Sequence, residues 1–209
     1  MSLITTWGYT LPETDALPNL LTKADFDTLT AGKYADDTRT EPDIASASAA
    51  VRNYCGWHVS PSLPCVLKEH LLYGDGRIKR VYDDFMIQLP ATYVSSVTAV
   101  RINGEAFTDY ALKGSLLYIF GVSPELVSRK TEVEVEYEAG LPESMIAGIH
   151  ELIAHRVTHA LASSNGVQSE TAGGVSITYS SGWTNSGGAA ALADTNKEVL
   201  EPYCVRGVF

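Results

Sequence analysis

The residues best equipped for chemistry lie close together, at His150, Glu151, His155 and His159. A His-Glu-x-x-His run on a helix sets two imidazoles on one face to hold zinc, with the glutamate as general base. Here the run is His150-Glu151-Leu152-Ile153-Ala154-His155, one residue too long. Two imidazoles five positions apart point about 140° away from each other on a helix of 3.6 residues per turn. Glu151, His155 and His159 do share a face. They spread over about 12 Å of helix axis, so one ion reaches a pair at most and needs ligands from elsewhere. The expectation is a solvated or interfacial polar face with Glu151 pairing His155. Asp83-Asp84, between Tyr82 and Phe85, offers two carboxylates that point to opposite faces of a strand, which suits a turn or bulge better than a hard-cation site. His58 and His70 stand alone and are expected to be hydrogen-bonded structural residues. No nucleophile elbow, Walker loop or dinucleotide fingerprint occurs, and neither Gly173-Gly174 nor Gly187-Gly188 leads into Lys-Ser/Thr. No catalytic residue, metal site or cofactor is assigned, and the chain is not expected to be an enzyme.

Charge gives a sharper signal. Glu132, Glu134, Glu136 and Glu138 alternate with Val133, Val135 and Tyr137. Alternation at period two puts the four carboxylates on one face of a strand, where like charges repel and stay out of the core. Two uses fit: a solvated face that guards against unwanted edge pairing, or an acidic wall facing DNA in transit. Arg156 is the opposite oddity, a cation inside an apolar helical stripe, expected either to snorkel or to pair with a carboxylate of another element or subunit.

The 209 residues carry 15 basic and 25 acidic side chains, a formal charge of −10, with 45% hydrophobic residues. This is enough apolar material for a sizeable core and too acidic a balance for a protein that grips phosphates. No apolar run approaches the ~20 residues of a membrane span, and Met1 to Tyr9 lacks the pattern of a signal peptide. Cys55, Cys65 and Cys204 have no metal spacing and read as reduced thiols of a cytosolic product.

The elements that must position these residues begin with the stretch 41–61. Thr40 as N-cap, Pro42 in the first turn and Asp43 completing a capping box predict a helix start. Ile44, Ala47, Val51, Tyr54 and Cys55 form its apolar face, and Gly56 its stop. Trp57 is expected to fold back on the last turn. Residues 1–22 read as an extended lead-in, followed by a short helix from Lys23 to about Ala31 capped by Thr22. Between 64 and 138 the period becomes two. Strands are expected over 66–73, 77–89, 94–102, 116–120 and 131–138, with turns at Gly74-Asp75-Gly76 and Asn103-Gly104. Pro142 opens a second long helix to about Ala162, with Ile149 and Ile153 in its stripe. Val51, Tyr54, Trp57, Ile149 and Ile153 are the expected structural core. Residues 163–190 are rich in Gly, Ser and Thr. Val175, Ile177, Tyr179 and Trp183 are too apolar for a plain linker, so they are candidates, with Arg156, for contacts to a partner or another subunit. A last helix covers about 189–203.

The order of these features resembles a known family. A helix ending in Arg52-Asn53-Tyr54-Cys55-Gly56-Trp57-His58 leads to a strand pair around Gly74-Asp75-Gly76, then Leu89-Pro90, Val97 to Gly104, Val133 to Pro142, and a long helix. From about residue 40 to 162 this is similar to the head–tail connector (adaptor) proteins of tailed bacteriophages. The resemblance implies a structural virion protein of the neck, assembled in the host cytoplasm. It implies a ring, commonly of twelve copies, docked under the portal protein, joined to the next neck or tail-completion protein, and continuing the channel for dsDNA without sequence-specific binding or membrane contact. The expected fold is α+β: a helical part from 1–63 and 139–209, with a small antiparallel β module inserted at 64–138. Two other readings are a metal-dependent hydrolase, which the histidine spacing opposes, and a carbohydrate-binding β module, which the placement of Trp7, Trp57 and Trp183 outside 64–138 opposes.

Overall fold

Alternation builds the largest element of the molecule. The structure, a computed structural model, describes residues 2–12, 14–71, 76–81, 84–122, 127–128, 130–163, 169–172, 175–178 and 194–205. The chain divides into two compact units, one of Met1–Leu17, Cys55–Glu143 and Tyr203–Phe209, the other of Pro18–Tyr54 and Ser144–Pro202.

The first unit is made of two antiparallel sheets. Strands β1 (Leu3–Ile4), β2 (Tyr9–Leu11), β3 (Leu63–His70), β6 (Val94–Ile102), β7 (Glu105–Phe107) and β10 (Glu132–Ala139) form six strands in the order β1-β2-β3-β10-β6-β7. Strands β4 (Ile78–Val81), β5 (Asp84–Gln88), β8 (Tyr110–Lys113) and β9 (Leu116–Ile119) form four in the order β4-β5-β9-β8. In the larger sheet Tyr9, Leu67, Val135 and Val100 lie in one cross-strand row and are all buried. Phe85, Ile87, Leu117 and Ile119 are the buried hydrophobic residues of the smaller sheet. Asn103 and Gly104 take φ +53° and +83° between the paired Ile102 and Glu105, the two positive values a tight hairpin of this hand needs.

The second unit holds helices α1 (Lys23–Leu29), α2 (Thr40–Cys55, of which Cys55 falls in the first unit), α3 (Ala147–Ser163) and α4 (Asp194–Leu200), with a hairpin of β11 (Ser169–Ala172) and β12 (Val175–Thr178). Thr22 caps α1, its hydroxyl accepting from Asp25 N at 3.1 Å. α3 packs against α1 and α4. Leu20 N donates to the buried Ser48 Oγ at 3.0 Å, and Arg52 Nη2 donates to Pro18 O at 2.7 Å. Ser48 and Arg52, one turn apart, thereby hold the entering chain along α2.

These sheets overturn the expected fold class. Strands rather than helices dominate the described chain, which holds two antiparallel sheets, of six and four strands, where one small β module was expected. Residues 3–11, read as a lead-in, supply two strands of the main sheet, while 64–138 feeds two sheets rather than one. The stretch 77–89 is not one strand but the hairpin of β4 and β5, so β3 pairs with β2 and β10 instead. β7 and β8 were not expected either. α2 begins at Thr40 itself, whose residue forms the first turn rather than its cap.

Candidate functional site

The central strand β10 carries the acidic stripe, and its register decides what the stripe is. Val133, Val135 and Tyr137 are buried; Glu132 and Glu138 are exposed, with Glu134 and Glu136 half-buried. Glu134 stands directly opposite Lys68 on β3 and Arg101 on β6. Lys68 pairs with Glu134; Arg101 Nη1 reaches Glu134 Oε1 at 2.8 Å and also pairs with Glu136. Thus a cation–anion–cation row crosses three strands, and the two cations offset half of the stripe. The ammonium of Lys68, then the guanidinium of Arg101, hold the Glu134 carboxyl below its usual range against the opposing effect of burial. At the ends, Ser62 Oγ donates to Glu138 Oε1 at 3.1 Å and Glu132 N donates to Asn103 Oδ1 at 3.0 Å. The face is a mixed-charge surface rather than an unbroken acidic wall.

A second constellation lies beside the same strand's end. His58 is fully buried. Its Nε2 lies 2.9 Å from Ala139 O and 3.1 Å from Pro61 O, both acceptors, which assigns the proton to Nε2. In the neutral ring Nδ1 then accepts from the Tyr9 hydroxyl at 2.8 Å, and that oxygen accepts from His58 N at 3.0 Å. The turn after His58 docks on residue 141, whose N donates to Val59 O at 2.7 Å, while Gly140 N donates to Tyr93 O, just before β6, at 3.2 Å. Gly140 has φ +137°, and a Cβ there would fall on the backbone of Pro61 and Ser62, well inside contact distance. His58 is the expected hydrogen-bonded structural histidine; His70 is exposed on β3, opposite Glu132.

Arg156 is 2% exposed, so it does not snorkel, and burial pushes its guanidinium pKa down. On α3, Glu151 and His155 are exposed and His159 is half-buried; among the described residues no group of three or more His, Cys, Asp or Glu could hold a metal ion. Val51, Ile149 and Ile153 are fully buried and Tyr54 is half-buried, all in the second unit. Trp57, in the first unit, is also fully buried, its Nε1 donating to Tyr203 O at 2.7 Å. Val175 and Ile177 lie on β12, and Tyr179, Trp183, Asp83 and the Gly74-Asp75 turn fall outside the described residues. No helix among the described residues is long and apolar enough to cross a membrane.

Sequence reasoning named the four glutamates but not Lys68 and Arg101 as their partners, nor Tyr9 as the partner of His58. The signal for Lys68 was its place on the outward side of a strand; for Arg101 and Tyr9 it was the strand pairing, which no local pattern carries. Compared with known proteins, the chain matches no protein-family model and no curated protein.

Proposed function

We propose that this protein is a structural head–tail connector of a tailed bacteriophage, a ring-forming neck component that docks under the portal protein and passes dsDNA to the next neck or tail-completion protein. The observation that carries the reading is the joint between Cys55-Gly56-Trp57-His58 and Ala139-Gly140-Leu141-Pro142. These two stretches, far apart in sequence, carry much of the resemblance, and they are locked together by His58 Nε2–Ala139 O and Leu141 N–Val59 O. A ring protein needs such rigid junctions, because every copy repeats the same angle and small errors accumulate around a closed symmetry. In that ring the mixed-charge face of β10 is the surface offered to DNA or to a neighbouring copy. With half of its charge offset it stays net acidic, so phosphates slide past rather than adhere.

Solution mass is the test. The purified chain is measured by mass photometry alone and with the portal protein of the same phage. The expected result is a ring-sized assembly on the portal, visible as an annulus by electron microscopy. A chain that stays monomeric and never binds portal overturns the proposal.

A further inference from the structure

Two cysteines whose thiols make none of the joint's hydrogen bonds meet in the first unit. Cys55 ends α2 and is buried; Cys204 follows the short 3-10 turn Glu201–Tyr203 and is partly exposed. Their approach is fixed from both sides. Val205 N donates to Cys55 O at 2.9 Å, and the buried Trp57 donates its Nε1 to Tyr203 O at 2.7 Å. The hydrogen bond from residue 205 to residue 55 sets the two cysteines on neighbouring segments, and a disulfide needs their Cα atoms about 4.4–6.8 Å apart. Cys204 neighbours the Cys55 thiol and, after burial, raises its pKa. Cys65, on β3, points elsewhere, its Sγ donating to Leu63 O at 3.4 Å.

We infer that Cys55 and Cys204 form a dithiol that a low-molecular-weight disulfide converts to an intramolecular disulfide, covalently tying position 204 to position 55. Cys204, the more accessible thiol, reacts first. Its thiolate attacks one sulfur of the small disulfide, expels one small thiolate, which takes up a proton, and leaves a mixed disulfide. Cys55 loses its proton, attacks the Cys204 sulfur and expels the second small thiol. The protein gives up a pair of hydrogens and their electrons, and the small disulfide is reduced to its thiols. Burial, and then the neighbouring Cys204, raise the pKa of Cys55, so the closing step quickens as pH rises. The inference does not depend on what the chain assembles with.

The experiment incubates the full chain with oxidised glutathione at neutral and alkaline pH, alkylates the remaining thiols under denaturing conditions, and maps the peptides by mass spectrometry. The expected product is a Cys55–Cys204 crosslink that dithiothreitol reverses, formed faster at alkaline pH, with Cys65 alkylated. The thermal midpoint rises on oxidation. Cys65→Ser keeps both effects; Cys204→Ser, at a partly exposed position, loses both. A lasting glutathione adduct on Cys204 with Cys55 still alkylated, a crosslink through Cys65, or three alkylated cysteines after alkaline incubation would each overturn it.

Discussion

The Tyr9 hydroxyl serves two groups of one residue: it donates to His58 Nδ1 at 2.8 Å and accepts from His58 N at 3.0 Å, across 49 positions of sequence. A three-residue strand is thereby anchored two residues beyond Gly56, and the imidazole is held in the tautomer that binds Ala139 O. Removing only the hydroxyl tests the arrangement. Tyr9→Phe takes both partners from buried groups, which costs about 1–3 kcal/mol when the groups stay buried. Urea unfolding measures it; a loss under ~0.5 kcal/mol, typical of an unconstrained surface site, would show that water or a rearrangement replaces the bond.

Gly140→Ala is expected to be more damaging than its size suggests. The added methyl meets Pro61 O, Pro61 C and Ser62 Cα, all backbone atoms that no side-chain rotation can clear. Overpacking of this kind costs about 1–3 kcal/mol, and more where backbone must move. The same urea titration reads the outcome, and an unchanged midpoint would mean that the 58–62 turn does not rest on Gly140.

The row through Glu134 predicts a pH dependence with a definite sign. The carboxyl of Glu134 is held below its ordinary 4.5 in the fold, by Lys68 first and Arg101 after. A carboxylate with a depressed folded pKa stabilises fully above its unfolded value, and that stabilisation disappears as pH falls through the folded value. Glu134→Gln should therefore flatten the decline of stability on acidification below 4.5, at the cost of lower stability near neutrality. Carbon NMR of the side-chain carboxyls gives the direct check: Lys68→Ala moves the Glu134 midpoint upward. A midpoint unmoved by that substitution would refute the pairing.

In the helical unit, Ile149 is fully buried on α3. Ile149→Ala is expected to cost about 2–5 kcal/mol, the range for emptying a packed aliphatic site. Thermal or denaturant unfolding measures it, and a loss near zero would mean that the surrounding helices collapse into the space.

What the sequence made legible were features written locally. The alternation from Val133 to Tyr137, the positive-φ pair Asn103-Gly104 and the Thr22 cap all appear in the structure as their residues suggest. β1 and β2, with two and three residues, are too short to display any period, so they passed as lead-in. The division of 77–89 into a hairpin was hidden because no Asn-Gly or Asp-Gly pair marks a turn between its arms. The site was half legible for the same reason. Four glutamates on one face follow from their spacing, but Lys68 and Arg101 become their partners only through register with strands that begin more than thirty positions away. The clash that reserves position 140 for glycine is likewise a property of contact with residue 61, not of its neighbours in the chain.

β10 lies between β3 and β6, yet it is the last of the six strands to leave the ribosome. Until residue 139 emerges, β3 and β6 each present an open edge toward the gap that β10 will fill. The main sheet is consequently zipped shut from its middle by a late arrival, a non-local closure that folds slowly and leaves nascent strands exposed to one another on crowded polysomes.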